Sequence, residues 1–435
     1  MASTTHTPGS GEDSEPAAQD GAPKSSISTA NGSVAGSRQT TQVADRFSSF
    51  GQTIFTEISA LAAQHKAVNL GQGFPDFDGA DFVKEAAIQA IRDGKSQYAL
   101  MTGVPDLATE IADVFERDTG IEVDAKKEVT VTAGCTEAIA SAFLGLCNPG
   151  DEVVVFEPAY DSYKAAMAMA GAMVKPVVLR PPDFSFSRDE LSAAFSSKTR
   201  VILINTPHNP TGRVFTESEL QFIADLAARH DALVFSDEVY HRLLYNGACH
   251  VSIAQLPGMY DRTVTLNSLG KTFSLTGWKV GWAIAPPPLS HAIRMAHQFV
   301  TFSVATPLQH GAAAALRAPP QFYEQVRADY TRRRDILLEG LRDVGFNVFE
   351  PQGSFFVMAD FTPFGFDDDV AFSKHLIEKV GVAAIPPSGF YSNPAEGKHL
   401  IRFAFCKTDA VLLEAVRRLK QHLKLQEPCD RKAVS

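Results

Sequence analysis

Apolar positions recur along this chain with two periods, and the switch between them organises it. Ile54, Ile58 and Leu61 fall at helical spacing and predict a helix over residues 53–63. A second helix is predicted over 82–91. A third is predicted over 106–115, where Leu107, Ile111, Val114 and Phe115 share one face. Short apolar runs rich in Val and Ile then follow at 128–132, 151–156, 200–204, 232–236, 263–266 and 282–285. Such runs read as strands covered on both faces. Helical segments separate several of them, one opened by the capping-box pattern Thr216-Glu217-Ser218-Glu219. Strands alternating with helices predict a mostly parallel, doubly wound α/β domain. From about His310 the pattern changes to a long charged helix over 321–344, strand candidates at 347–349, 354–357 and 400–405, and a closing helix over 410–423. The run Arg332-Arg333-Arg334 is expected on a solvated helix face rather than in a nucleic-acid patch. The expected division is an extension over 1–45, a segment over 46–79 joining a smaller α+β domain over 311–430, and a large domain over 80–310.

Ligands of such sheets bind beyond the carboxyl ends of the strands. Five successive loops there carry polar groups: Ala133-Gly134-Cys135-Thr136, Glu157-Pro158-Ala159-Tyr160, Asn205 to Gly212, Asp237-Glu238-Val239-Tyr240, and Ser268 to Lys271. Lys271 follows a buried-looking strand, where an amine is costly unless it is paired, exposed or chemically used. Lys279 comes eight residues later among glycines and a tryptophan.

Composition narrows the partners. Lys plus Arg is 40 and Asp plus Glu is 50 in 435 residues, a net charge of −10. An acidic balance argues against nucleic acid as a partner. The five cysteines form no C-x-x-C pair and the histidines no ligand spacing, so neither a disulfide framework nor a metal is expected. No apolar run reaches membrane-spanning length. The first 45 residues are rich in Ser, Thr, Gly, Ala and Pro and are expected to be disordered. Glu12, Asp13, Glu15 and Asp20 oppose only Lys24 and Arg38, so a cytoplasmic extension is expected over a plastid or mitochondrial transit peptide.

Pyridoxal 5'-phosphate requires a lysine for its aldehyde, a carboxylate beside its ring nitrogen, donors to its phenolate oxygen, and an anion cup for its phosphate. Lys271, then Asp237, then Asn209 with Tyr240, then Gly134-Cys135-Thr136 with Ser268 and Lys279, supply these in turn. At this point the chain resembles a fold-type I, class I pyridoxal phosphate aminotransferase, of the kynurenine/glutamine–phenylpyruvate and methionine aminotransferase branch. The matching stretches are Gly71-Gln72-Gly73-Phe74-Pro75-Asp76, Asn205 to Gly212, Ser236 to Tyr240, Ser268 to Phe273 with Thr276 to Gly281, and Ile401 to Phe405.

The resemblance implies that Lys271 bonds the aldehyde and later shuttles a proton, and that Asp237 pairs with the pyridine nitrogen. It implies that Tyr240 and Asn209 face the phenolate oxygen, that Tyr160 stacks on the ring, and that Tyr98 reaches the phosphate of a neighbouring subunit in a homodimer. Arg402 would bind the substrate's α-carboxylate, with Gly73 and Asn205 nearby. Phe55, Phe74, Tyr160 and Phe302 would supply apolar pocket walls for a methionine, aromatic, kynurenine or glutamine side chain, with a 2-oxo acid as acceptor. Tyr160 stands where relatives often have Phe, and Cys135 where several have Tyr or Ala. The alternatives are a cysteine-conjugate β-lyase on the same scaffold, an aspartate- or diaminopimelate-type aminotransferase, or a cofactor-binding protein without turnover.

Overall fold

The strands named by the pattern do pair in one sheet, and that sheet sets the frame for the site. In the computed structural model, residues 43–425 are described, apart from 49 and 52. The extension expected over 1–45 therefore lies almost wholly outside the described residues. The strands in chain order are β1 (Val68–Asn69), β2 (Val129–Thr132), β3 (Glu152–Glu157), β4 (Met173–Val178), β5 (Thr199–Asn205), β6 (Leu233–Asp237), β7 (Thr263–Ser268), β8 (Gly281–Ile284), β9 (Asn347–Phe349), β10 (Phe356–Asp360), β11 (Val382–Ala383) and β12 (Leu400–Ala404).

Seven of them form the main sheet in the order β2-β8-β7-β6-β5-β3-β4. Within it β8 runs antiparallel to both neighbours, and every other pair is parallel. Strands β2, β6 and β8 are buried along their whole length, as helices on both faces require. Register puts Asn205 beside Asp237 and Asp237 beside Leu266, so three strands end level at one edge. The capping box at Thr216 forms as read: Glu219 N–H donates to Thr216 Oγ1 at 3.3 Å, and Thr216 N–H donates to Glu219 Oε2 at 2.9 Å.

Strand β4 was not foreseen. It carries Pro176 and Lys175 and sits at the sheet edge, half-exposed, where a proline costs no ladder bond and hydrophobic patterning is weak. The strand expected at 354–357 begins later, at Phe356, because Ser354 adopts a left-handed φ of 63° and Gly353 bridges to Leu244. The arginine run is corrected too. Arg332 pairs with Asp329 and Asp409 at the surface, but Arg333 lies 3.9 Å over the Phe77 ring, and Arg334 is buried against Asp335 and Asn246.

A three-stranded antiparallel sheet, β12-β10-β9, lies later in the chain. The helix Ile54–Gln64 packs Ile58 and Ala62 against Ile377, Ala383, Ile385 and Phe390, and β1 pairs in parallel with β11. Residues 70 and 71 thereby reach β12: Ala404 N–H donates to the Leu70 carbonyl at 2.7 Å. Among the described residues no helix is long and apolar enough to cross a membrane.

Candidate active site

At the carboxyl edge of the main sheet a cavity of about 370 Å³ opens. Gly134, Cys135 and Thr136, read from sequence as a loop, are the first turn of the helix Gly134–Leu146. That helix is largely apolar and its polar residues Glu137 and Ser141 are buried, so periodicity did not reveal it. Its free N–H groups face the cavity as an anion-binding turn. Two glycines make the turn possible. Gly134 has φ 74°, and a Cβ on Gly281 would lie 2.5 Å from the Cys135 nitrogen. Lys279, itself at φ 52°, brings Nζ to 3.2 Å from where a Cβ on Gly134 would sit, and Ser268 completes the rim from the end of β7.

Asp237 ends β6 and is buried. Tyr163 Oη donates to its Oδ2 at 2.6 Å, and Val239 N–H donates to Oδ1 at 3.3 Å. Burial pushes the Asp237 carboxyl up, while the Tyr163 hydrogen bond opposes that rise. Lys271 is buried too. Burial pushes its amine down, with the nearby Cys406 and Asp237 acting the other way. Its Nζ lies 5.7 Å from the centre of the Tyr240 ring and 5.6 Å from that of Phe355. A buried amine biased toward its neutral form is a nucleophile and proton carrier in waiting.

The far wall is built from long-range contacts. Asn205 Nδ2 donates to the Asp237 carbonyl at 2.9 Å, and its Oδ1 accepts from Asn209 N–H at 2.7 Å. Asn209 Oδ1 accepts from Arg402 at 3.2 Å, and the same guanidinium donates to the Gly71 carbonyl at 2.8 Å. Arg402 lies on β12, buried over the Phe356 ring at 4.2 Å and Phe55 at 5.1 Å. Burial lowers its pKa to about 10, and its Nε has no hydrogen-bond partner among the described residues. Gly73 must be bare, since a Cβ there would lie 2.6 Å from Phe356.

Every residue read from sequence as a site residue borders this cavity, including Phe55 and Tyr160, except Tyr98 and Phe302. Those two sit together outside it, rings 5.5 Å apart, with Tyr98 84% exposed. The sequence reading missed Tyr163, which borders the cavity and holds Asp237. Its spacing of three from Tyr160 on a helix places both on one face and could have revealed it. It also missed Gln72, Asp161 and Phe356.

A mostly parallel sheet with an amine, a carboxylate and an anion cup along its carboxyl edge has the fold-type I architecture of pyridoxal phosphate enzymes. Residues 65–419 match the family model for aminotransferase class I and II, and the chain belongs to that family. It is 43% identical over 371 residues to a methionine aminotransferase of Escherichia coli (strain K12), covering 85% of this chain and 96% of that one. It is 38% identical over 406 residues to a kynurenine--oxoglutarate transaminase of Dictyostelium discoideum, covering 85% and 93%. The solved N-succinyldiaminopimelate aminotransferase of Mycobacterium tuberculosis superposes with TM-score 0.85 at 43% identity, covering 87% of this chain and 100% of that one. The protein is an aminotransferase, of a family that depends on pyridoxal phosphate, and the lyase alternative is not favoured.

Proposed function

We propose that this enzyme moves the amino group of an L-amino acid with a neutral, bulky side chain to a 2-oxo acid, using pyridoxal 5'-phosphate. Methionine, the aromatic amino acids, kynurenine and glutamine are the donors meant. Relatives named for three different substrates lie at 38 to 43% identity, so identity does not choose among them. The cavity does. Among the described residues it holds one arginine, Arg402, and the rest of its substrate end includes Phe55, Phe74, Tyr160 and Phe356 together with Asp161. A side-chain carboxylate there would be desolvated without a cationic partner.

The donor set fits the cofactor: a glycine-lined helix turn with Lys279 at one end, and Asp237 and Lys271 deeper in. When bound, the cofactor supplies an aldehyde carbon that takes up the amino group and a protonated ring that draws electrons from the substrate's Cα. The Gly134–Thr136 N–H groups, Ser268 and Lys279 would hold its phosphate. Asp237, kept in place by Tyr163, would hold the proton on the ring nitrogen. Asn209 spends its Oδ1 on Arg402, so its Nδ2 is the group left to donate to the phenolate oxygen beside Tyr240. Tyr160 would cover the ring. Arg402 would orient the α-carboxylate, and Nζ of Lys271 would take the proton from Cα.

We also propose a twofold homodimer with shared sites. Tyr98, Leu100, Phe299 and Phe302 are exposed apolar side chains on neighbouring segments, a surface suited to a second copy. Sedimentation at assay concentration tests this, and an active monomer refutes it. The substrate reading is tested by kcat/KM for methionine, phenylalanine, kynurenine and aspartate with one oxo acid. A preference for aspartate over methionine and phenylalanine would overturn it.

A further inference from the structure

We infer that Asp161 is a specificity-determining residue that turns away amino donors bearing a second carboxylate. The inference rests on the neutral-donor reading and adds an agent to it: substrates such as aspartate meet not merely a missing cation but a standing negative charge. Asp161 is the first residue of the helix Asp161–Ala170, directly after Tyr160, and it borders the cavity along with Tyr160 and Arg402. It makes no hydrogen bond or ion pair with another side chain among the described residues, unlike Asp237, which Tyr163 holds. Burial pushes its carboxyl up, and the Ser162 N–H and Arg402 pull it back down, which places the two charges within each other's field.

The charge census of the cavity makes the consequence definite. Among the described residues its charged ones are Asp161, Asp237, Lys271, Lys279 and Arg402. Asp237, Lys271 and Lys279 belong to the cofactor's end. What remains for the substrate is one cation, Arg402, and one anion, Asp161. An α-carboxylate on Arg402 uses up the cation, and Asp161 is then the uncompensated charge bordering the substrate's end of the cavity. A thioether or aromatic ring is indifferent to it. A second carboxylate is repelled in a partly desolvated space, where like charges interact more strongly than in water. An acid in a helix's first turn also favours the helix dipole. That role does not require the carboxylate to border the cavity, and it predicts no change in substrate choice.

The test is a ratio. In holoenzyme, kcat/KM is measured for L-aspartate and L-methionine with one oxo acid, in wild type and Asp161→Asn. The ratio of aspartate to methionine is expected to rise about tenfold or more on removal of the charge. A relative gain toward one donor is not produced by general damage to the fold. Should the amide variant not fold, Asp161→Ser carries the same expectation. A ratio unchanged within about twofold while wild type still prefers methionine would overturn the role of Asp161 alone. A wild type that prefers aspartate would instead overturn the neutral-donor reading beneath it.

Discussion

The cavity has two walls built in different ways. One is made of strand ends and the turns that follow them: Asp237 on β6, Ser268 on β7, Lys271 three residues later, and the helix turn after β2. Each group is positioned by the sheet residues just before it. The other wall is Arg402, Gly71 to Phe74, Phe55 and Phe356. Its key contact joins Arg402 to the Gly71 carbonyl, 331 residues apart in sequence. On the proposed function, the first wall carries chemistry and the second carries recognition. A rigid sheet fixes groups that handle protons, whereas a wall assembled from distant segments can change substrate without disturbing them.

Breaking the first wall should cost the most. Lys271→Ala is expected to remove turnover by at least about a thousandfold, since proton transfer at Cα loses its carrier. Near-wild-type steady-state rates would end that assignment. Asp237→Asn should lower kcat by about a hundredfold or more with the fold retained by circular dichroism, because an amide cannot stabilise a protonated ring nitrogen. A loss below about tenfold would mark Asp237 as a turn cap only. Tyr163→Phe should cost less, and the Asp237 carboxyl should rise because its hydrogen bond is gone. A shifted acid limb in the kcat profile would report this.

Breaking the second wall should instead appear in KM. Arg402→Lys is expected to raise KM for methionine by roughly ten- to a hundredfold, the worth of a charged, forked hydrogen bond. The effect on kcat should be smaller. A variant that lost kcat and kept KM would show that the two walls do not divide the work in this way.

The last effect is in stability and is seen only at acid pH. His208, buried, and His241, half-buried, both beside the chemistry wall, are neutral, each with its pKa lowered to about 3 chiefly by loss of solvent. The unfolded chain protonates both below its ordinary value of about 6.5, and the folded protein does not. Their contribution is thus present in full above pH 6.5. It falls as pH drops from 6.5 toward 3. Thermal unfolding of His208→Gln against pH should show a shallower acid limb than wild type, and an identical limb would refute this.

The same division explains what was legible beforehand. Strands β3, β5, β6 and β8 announced themselves as short apolar runs and β2 and β7 as Val–Thr alternations, and the polar residues just past them marked the first wall. Edge strand β4 and the largely apolar, buried helix Gly134–Leu146 carry no clear amphipathic period, so they did not. Arg402 was read as a site residue through its family motif, but its partners Gly71 and Asn209 follow from tertiary contacts no local pattern encodes. Arg333 and Arg334 looked solvated because a charge run records composition. Their burial over Phe77 and against Asn246 depends on segments hundreds of residues or dozens of residues away.

The most direct test of the whole account is a half-reaction followed by absorbance. Holoenzyme mixed with L-methionine alone should lose its aldehyde-form visible band within one turnover, and addition of a 2-oxo acid should restore it. Lys271→Ala should show neither rapid change. A band that does not respond to methionine, or whose loss is accompanied by ammonia release and is not reversed by the oxo acid, would contradict amino-group transfer at this site.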